Sequence, residues 1–155
     1  MGPDQQQGNI VGPRNTVTEG DGMRFAIQNV RSLNISTKND ITLKKILAIV
    51  SLKTDIIFLS DIRINSDLQS SAIHDLKKHL FFNGYKLFHN SKTSSRGVGI
   101  LVSKNITDLG FNILTQINRD DNNSLLLHVE IKGKQYILGA VYGPNHDDEL
   151  EFLTT

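Results

Sequence analysis

The feature that most constrains the fold is a run of four apolar residues, Ile56 to Leu59, between Asp55 and Ser60. A short apolar run that does not alternate with polar residues is typical of a central strand with both faces buried. Such a strand lies inside a sheet, and other layers must cover it on both sides. The rest of the chain therefore has to supply neighbouring strands and covering elements.

Two amphipathic helices and a further strand are predicted around this run. Met23 to Asn29 alternates in polarity, which predicts a strand. A first helix is predicted over Ile41–Leu52, with an apolar stripe at Leu43, Ile46, Leu47 and Val50. Ser66 followed by Gln69 resembles a capping box that opens a second helix, and Gly84 closes it. The second apolar stripe consists of Leu68, Ala72, Leu76 and Leu80, and the lysine pairs Lys44-Lys45 and Lys77-Lys78 are expected on solvated helix faces.

The second part of the chain is rich in predicted strands. They lie near Tyr85–His89, Gly97–Ser103, Phe111–Ile117, Leu125–Ile131 and Gln135–Tyr142. Lys132-Gly133 is a tight-turn signal between the last two. The acidic residues after His146 predict the start of a helix that extends to Thr155. Early helices followed by β-hairpins indicate an α/β or α+β class with a mixed sheet.

Length and composition limit the classes of function. The 155 residues correspond to one domain, and 17 basic against 16 acidic residues give a net charge of +1, so a strongly basic nucleic-acid arm is excluded. The absence of cysteine excludes disulfides, cysteine-bound metals and a thiol nucleophile. Residues 1–22 are rich in Gly, Pro and Gln, which predicts a flexible leader before a domain over 23–155. There is neither a signal-peptide pattern nor a membrane-length apolar stretch.

Polar residues follow three of the predicted strands. They are Asn29, Asp61, Tyr142 and Asn145. In open α/β sheets, ligands bind beyond the carboxyl ends of strands, so these side chains converge if the strands run the same way. Amide, carboxylate and phenol oxygens suit a hard cation such as Mg²⁺ and a phosphate group. Each residue also has a plain structural explanation, since Asn29 can cap a loop, Asp61 can pair with Arg63, and Tyr142 to Asn145 can form a turn.

The order of these segments resembles a known superfamily. The resemblance rests on the asparagine at the end of the first strand, the apolar run before an acidic residue, the segment from Arg96 to Leu101, and the segment from Val141 to Asn145. From Met23 onward the chain is similar to the endonuclease/exonuclease/phosphatase superfamily, and within it to the endonuclease domains of non-LTR (LINE-type) retrotransposons and apurinic/apyrimidinic endonucleases.

This resemblance implies a four-layer α/β/β/α sandwich and hydrolysis of DNA phosphodiesters with Mg²⁺ or Mn²⁺. It implies that Asn29 organises the metal and phosphate, and that Asp61 replaces the usual metal-binding glutamate. It also implies that Tyr142 contacts the scissile phosphate and that Asn145 supports the substrate site. Arg96, with Lys92 and Ser95, lies in a loop that faces DNA in relatives. An intracellular, nuclear location follows if the whole element product is made.

Two segments of the family pattern, Gly-Asp-x-Asn and Ser-Asp-His, do not occur in this sequence. We therefore expect the N-terminal part of a domain that lacks the general-base half, that is weakly active or inactive alone, and that self-associates through an incomplete sandwich. Histidines are expected in surface or packing roles. A non-catalytic module that binds nucleic acid or a partner, and a phosphatase of the same superfamily, remain alternatives.

Overall fold

A computed structural model describes residues 16–20, 22–34, 40–93, 95–119 and 123–142 of the chain. Eleven elements lie in this part of the chain. The strands are β1 (Thr16–Gly20), β2 (Met23–Asn29), β3 (Ile56–Ser60), β4 (Tyr85–Asn90), β5 (Val98–Ser103), β6 (Asn112–Asn118), β7 (Ser124–Ile131) and β8 (Lys134–Val141). The helices are α1 (Asp40–Val50), α2 (Ser70–Phe82) and the single turn α3 (Lys104–Thr107).

The first sheet has five strands in the order β1-β2-β3-β5-β4. β2 and β3 run parallel, and their register places Asn29 opposite Ser60. β5 is antiparallel to both β3 and β4, and β1 is antiparallel to β2. The sheet is therefore mixed, as the order of helices and strands predicted. Its single parallel pair brings the carboxyl ends of β2 and β3 to the same edge.

The second sheet is an antiparallel meander with the order β6-β7-β8. The turn between β7 and β8 is formed by Lys132 and Gly133, whose φ angles are 55° and 78°. Positive φ at both positions is the geometry that joins hairpin strands with the correct twist, so the turn signal is confirmed. β7 packs over β4 and β5, and β8 packs over β3 and β5.

Strand β3 is buried on both faces, as its unbroken apolar run predicted. Ile57 and Leu59 contact the core formed with α1 and α2, whereas Ile56 and Phe58 face the core between the two sheets. The described residues thus form a helix layer, a first sheet and a second sheet, which confirms an α+β sandwich in which two sheets pack face to face.

Three predictions about element boundaries are corrected. The first sheet begins at Thr16, before Met23, because Thr16–Gly20 pairs with β2 in antiparallel register. The capping box at Ser66 is wrong, since α2 begins at Ser70 and the Gln69 side chain accepts a hydrogen bond from the backbone amide of Asn65, not from that of Ser66. Asn65 Oδ1 in turn accepts from the backbone amides of Asp67 and Leu68. Leu68, predicted on the apolar stripe, is 83% exposed. The predicted helix from His146 to Thr155 lies outside the described residues.

Candidate active site at the strand ends

Asn29 and Asp61 lie at the same edge of the first sheet, which we call the rim: the carboxyl ends of β2 and β3 and the residues that follow them. The pairing of the two strands continues past their ends, since the backbone amide of Val30 donates to Ser60 and that of Ser32 donates to Asp61. The expectation that parallel strands bring these two positions together is confirmed. Asn29 Oδ1 accepts a hydrogen bond of 3.2 Å from the backbone amide of Arg31.

Asp61 is held in a two-point ion pair with Arg63. Arg63 Nε lies 2.7 Å from Asp61 Oδ1, and its terminal nitrogen lies 2.8 Å from Oδ2. The side chain of Asp61 is only 4% exposed, whereas that of Arg63 is 46% exposed. A carboxylate that binds both N–H groups of one guanidinium edge fixes the plane of that guanidinium. Asp61 therefore orients Arg63 at the surface of the rim.

The loops that carry these residues contain left-handed backbone conformations. Arg31, Ser32, Asp61 and Arg63 have φ angles of 48°, 85°, 66° and 59°. Such conformations cost on the order of 1 kcal/mol or more for a residue with a Cβ atom, and they concentrate at functional sites. Both loops of the rim therefore have a strained backbone, and the hydrogen bonds between the loops stabilise these conformations.

Lys45 joins the rim from helix α1. Its Nζ atom donates to the carbonyl oxygens of Arg31, at 2.7 Å, and Ser32, at 3.1 Å. The left-handed turn at Arg31 and Ser32 aims two consecutive carbonyls at one ammonium group. The expectation of a solvated Lys45 is wrong, because this lysine is half-buried and holds the loop after β2 against α1.

The charges of the rim act on one another. Hydrogen bonding to Asp61 and the negative charge of that carboxylate raise the pKa of Arg63, and Tyr142 adds to the rise. Burial lowers the pKa of Lys45, and the positive charges of Arg63 and Arg31 lower it further, while Asp61 acts in the opposite direction. Lys45 therefore lies in the positive field of Arg63 and Arg31, and this repulsion between cations favours an added anion.

Tyr142 reaches the rim from the second sheet. It follows β8, its backbone amide donates to the carbonyl of Asn123 at 2.8 Å, and its ring packs against the core between the sheets. Tyr142 also contributes to the raised pKa of Arg63, as the smallest of its causes. Asn29 and Asp61 thus lie at one edge of the first sheet, and Tyr142 follows β8, which packs over β3. Asn145 lies outside the described residues.

The loop before β5 is hydrogen-bonded to the residues that follow Asp61. The backbone amide of Arg63 donates to the carbonyl of Arg96 at 2.8 Å, and that of Ile62 donates to Gly97 at 3.1 Å. The hydroxyl of Ser91 donates to the carbonyl of Ile64. Lys92 and Ser95 are exposed in the same loop. The loop is therefore adjacent to Asp61, and its contact with nucleic acid stays a prediction.

The rim as it stands does not fit a divalent cation. Mg²⁺ needs near-octahedral oxygen ligands, and both carboxylate oxygens of Asp61 are occupied by Arg63. In the part of the chain that the structure describes, no three histidine or acidic side chains come together as metal ligands do. Neighbouring cations also oppose a further positive charge. The arrangement favours an anion, and the prediction of Mg²⁺ or Mn²⁺ stays untested.

Two cations of this region were not predicted as site residues from the sequence. Arg31 follows Asn29 by two residues in the loop after β2 and has a left-handed backbone conformation. Lys45 lies three residues after the buried Thr42 and four before the buried Ile49, so it belongs to the face of α1 that the structure shows packed inward. A lysine on the buried stripe of a helix indicates a polar partner inside the fold.

Comparison with known proteins identifies the fold. Truncated TDP2 from Caenorhabditis elegans superposes with a TM-score of 0.51 at 19% identity, over 80% of this chain and 47% of that one. A second structure of C. elegans TDP2 gives a TM-score of 0.55 at 18% identity, over 84% of this chain and 38% of that one. The chain has the same fold as these TDP2 structures over the part that it spans. A Cimex nitrophorin, with a TM-score of 0.46, is too dissimilar to support an argument.

This likeness confirms the predicted fold class, and the narrower likeness to retrotransposon endonucleases stays a prediction. The chain spans less than half the length of both TDP2 structures. No protein-family model and no curated protein matches the sequence. Among the described residues, the helices are too short or too polar to cross a membrane.

Proposed function

We propose that the rim binds a phosphate group of nucleic acid, and that the chain forms the phosphate-binding part of a phosphodiester hydrolase. The observation that carries this proposal is the position of two cations at the carboxyl ends of two parallel strands: Arg63, paired with Asp61, and Lys45, bonded to the carbonyls of the loop after β2. This edge is where α/β sheets bind their ligands. The fold shared with TDP2 supports the class of reaction, and the cationic rim supports the substrate.

Arg63 is the residue best placed to contact the phosphate. Its guanidinium is oriented by Asp61 through one edge and is 46% exposed, so further N–H groups remain accessible to an oxyanion. A planar guanidinium recognises phosphate through paired hydrogen bonds, which a lysine does not provide. Asp61 is accordingly a positioning residue, because its ion pair holds the Arg63 guanidinium in one orientation.

Asn29 and Tyr142 provide uncharged hydrogen-bond donors beside this cation. The Asn29 carbonyl oxygen accepts from the Arg31 amide, which orients the side-chain NH₂ group of Asn29 as a donor. Tyr142 comes from the second sheet, and its effect on the pKa of Arg63 supports a place for its phenol in the same site. Donors fixed before the reaction stabilise the charge that develops on a phosphoryl oxygen. We propose the same role for Asn145, on the resemblance alone.

The substrate proposed is DNA, and the reaction is the nicking activity of a non-LTR retrotransposon endonuclease. This narrower assignment rests on the order of the sequence motifs around Asn29, Asp61, Arg96 and Tyr142. Lys92 and Ser95 extend the proposed DNA contact along the loop before β5. The second candidate is a non-catalytic phosphate-binding module, which is favoured by the ion pair that occupies Asp61.

The test separates binding from cleavage. Supercoiled plasmid is incubated with the 155-residue chain and Mg²⁺ for nicking, and affinity for a short duplex is measured by fluorescence anisotropy. We expect binding without nicking above background. Arg63→Ala should weaken binding by roughly tenfold, because a charge-assisted contact is worth about 1.5–3 kcal/mol before solvent screening.

Asp108→Asn is the matched control for Asp61→Asn, because Asp108 is an exposed acid paired with Lys104. Robust nicking that Asp61→Asn abolishes and Asp108→Asn preserves would show a complete catalytic site in this chain. Unchanged affinity in both Arg63→Ala and Lys45→Ala would remove the rim from the binding surface and overturn the proposal.

A further inference from the structure

A second cationic surface lies away from the rim, on helix α2. His74, Lys77, Lys78 and Phe81 follow the spacing i, i+3, i+4 and i+7, so they share one face of the helix. This face and the start of strand β4 enclose a groove of about 320 Å³. The groove is lined by His74, Lys77, Lys78, Phe81, Tyr85, Lys86 and Leu87.

The groove concentrates positive charge in a chain whose net charge is only +1. Three of its lining residues are lysines, one is a histidine, and none is acidic. Asp75 belongs to the same helix but does not line the groove. The Lys86 ammonium lies 5.5 Å from the centroid of the Phe88 ring. Among the residues that the structure describes, Lys77 and Lys78 form no ion pair. These charges are therefore available to a polyanion.

An exposed aromatic residue lies among these lysines. Phe81 is 70% exposed in the groove, and Phe82, which follows it, is 74% exposed. A large aromatic side chain in water loses the free energy that its burial would contribute, and such exposure marks contact surfaces. Lysines interleaved with an exposed aromatic ring form the combination that binds unpaired bases and their phosphates.

The position of the groove relates it to the rim. Strand β4 lies at the end of the five-stranded order and runs from Tyr85, in the groove, to Asn90. Asn90 is opposite Val98, which is in turn opposite Ser60, so β4 ends beside the rim. Four residues separate Lys86 from Asn90, which corresponds to roughly 13 Å along a strand. One nucleic-acid strand can therefore contact both surfaces.

We propose that the groove between α2 and β4 binds single-stranded nucleic acid, with phosphates on Lys77 and Lys78 and a base stacked on Phe81. The groove extends the nucleic-acid surface beyond the rim and supplies affinity that does not depend on catalysis. In its relation to the rim this proposal rests on the proposed function, whereas binding in the groove can be tested by itself.

The experiment measures the affinity of the full 155-residue chain for a fluorescein-labelled 20-nucleotide single-stranded DNA across a salt series. Lys77→Glu combined with Lys78→Glu should weaken binding at least tenfold. The two lost phosphate contacts should also reduce the slope of log K against log[salt] by about 1.4. Lys44→Glu with Lys132→Glu is the matched control, because it changes the same charge at two exposed positions elsewhere.

Phe81→Ala tests the stacking and leaves the charge unchanged. We expect a loss of about tenfold for single strands, a smaller loss for duplex, and an unchanged salt slope. Equal losses in the lysine pair and its control would mean that only net charge matters, and the proposal would fail. Preferential competition by polyglutamate over single-stranded DNA would assign the groove to acidic protein instead and would also overturn it.

The rim and the groove can fail separately. If Arg63→Ala is without effect while the groove variants lose affinity, the proposed function is wrong and the groove stands. If Arg63→Ala weakens binding while the groove variants match their controls, the rim stands and the groove is refuted. Circular dichroism melts of each variant verify folding, and Lys77→Gln with Lys78→Gln provides a milder pair should charge reversal unfold the chain.

Discussion

Strand β4 carries a buried histidine that should make the stability of the chain depend on pH. His89 Nδ1 is buried and has no hydrogen-bond partner in the described structure. Burial, with a contribution from the positive charge of Lys77, lowers the pKa of His89 from 6.5 to about 4. The folded state therefore holds this imidazole neutral, whereas the unfolded chain protonates it near its ordinary pKa.

The sign and the size of the effect follow from this difference. Because the unfolded state binds the proton more readily, stability is complete above about pH 6.5 and decreases as the pH falls toward 4. At about pH 5, the two pKa values give a loss of about 2 kcal/mol relative to about pH 7.5. This is a substantial share of the 5–15 kcal/mol typical of a domain.

Urea unfolding at about pH 7.5 and pH 5 measures this loss. Unfolding is monitored by far-ultraviolet circular dichroism, because the chain contains no tryptophan. His89→Gln removes the titrating group and should reduce the pH-dependent loss by about 2 kcal/mol. His79→Gln is the control, because His79 is an exposed histidine on α2 and should leave the loss unchanged. An equal loss in wild type and His89→Gln would refute the reasoning and assign the pH dependence to other groups.

Three further predictions concern packing and assembly. Gly99→Ala should lower the free energy of unfolding, measured by thermal melts, by about 1–3 kcal/mol, since the new Cβ would lie 2.9 Å from Ile62 Cδ1. Gly139→Ala should lower it less, because its new Cβ would be close to only one side-chain atom. Asn90→Ala should lower the free energy of unfolding by about 2 kcal/mol, because the Asn90 side-chain amide donates to the carbonyls of Arg119 and Ser124 and so ties the first sheet to the second. If the chain self-associates, Ile27→Lys should shift sedimentation toward monomer, because Ile27 is 53% exposed on the face between the sheets.

The positions of Asn29 and Asp61 could be predicted because they depend on one inference, that two buried strands run parallel. The apolar run from Ile56 to Leu59 identified a strand covered on both faces, and the helix predicted before it supplied the crossover that a parallel pair requires. The rim then followed from topology. Tyr142 was selected by the same argument about strand ends, but the strand before it belongs to the second sheet, so the parallel pair of the first sheet does not fix its position.

The orientation of helix α1 could not be predicted from its periodicity. The helix carries apolar residues nearly all round, and the predicted stripe included Leu47, which is 58% exposed. The structure instead buries Ile46 and Ile49 against the sheet. With apolar side chains on several faces, the sheet surface decides which face packs. Lys45 was misjudged as a consequence, because its exposure depends on that rotation.

The two cationic surfaces explain how a chain of net charge +1 can bind a polyanion. Charges more than about 8 Å apart are largely screened at physiological ionic strength, so a phosphate responds to local charge and not to the sum over the chain. At the rim, Lys45 lies in the positive field of Arg63 and Arg31 with Asp61 as the opposing carboxylate, and the groove on α2 contains lysines and no acid. The acidic residues that balance the total must lie elsewhere. Near-neutrality therefore excludes a basic arm but allows a divided basic surface, which is the arrangement that the proposed binding of a strand along β4 toward the rim requires.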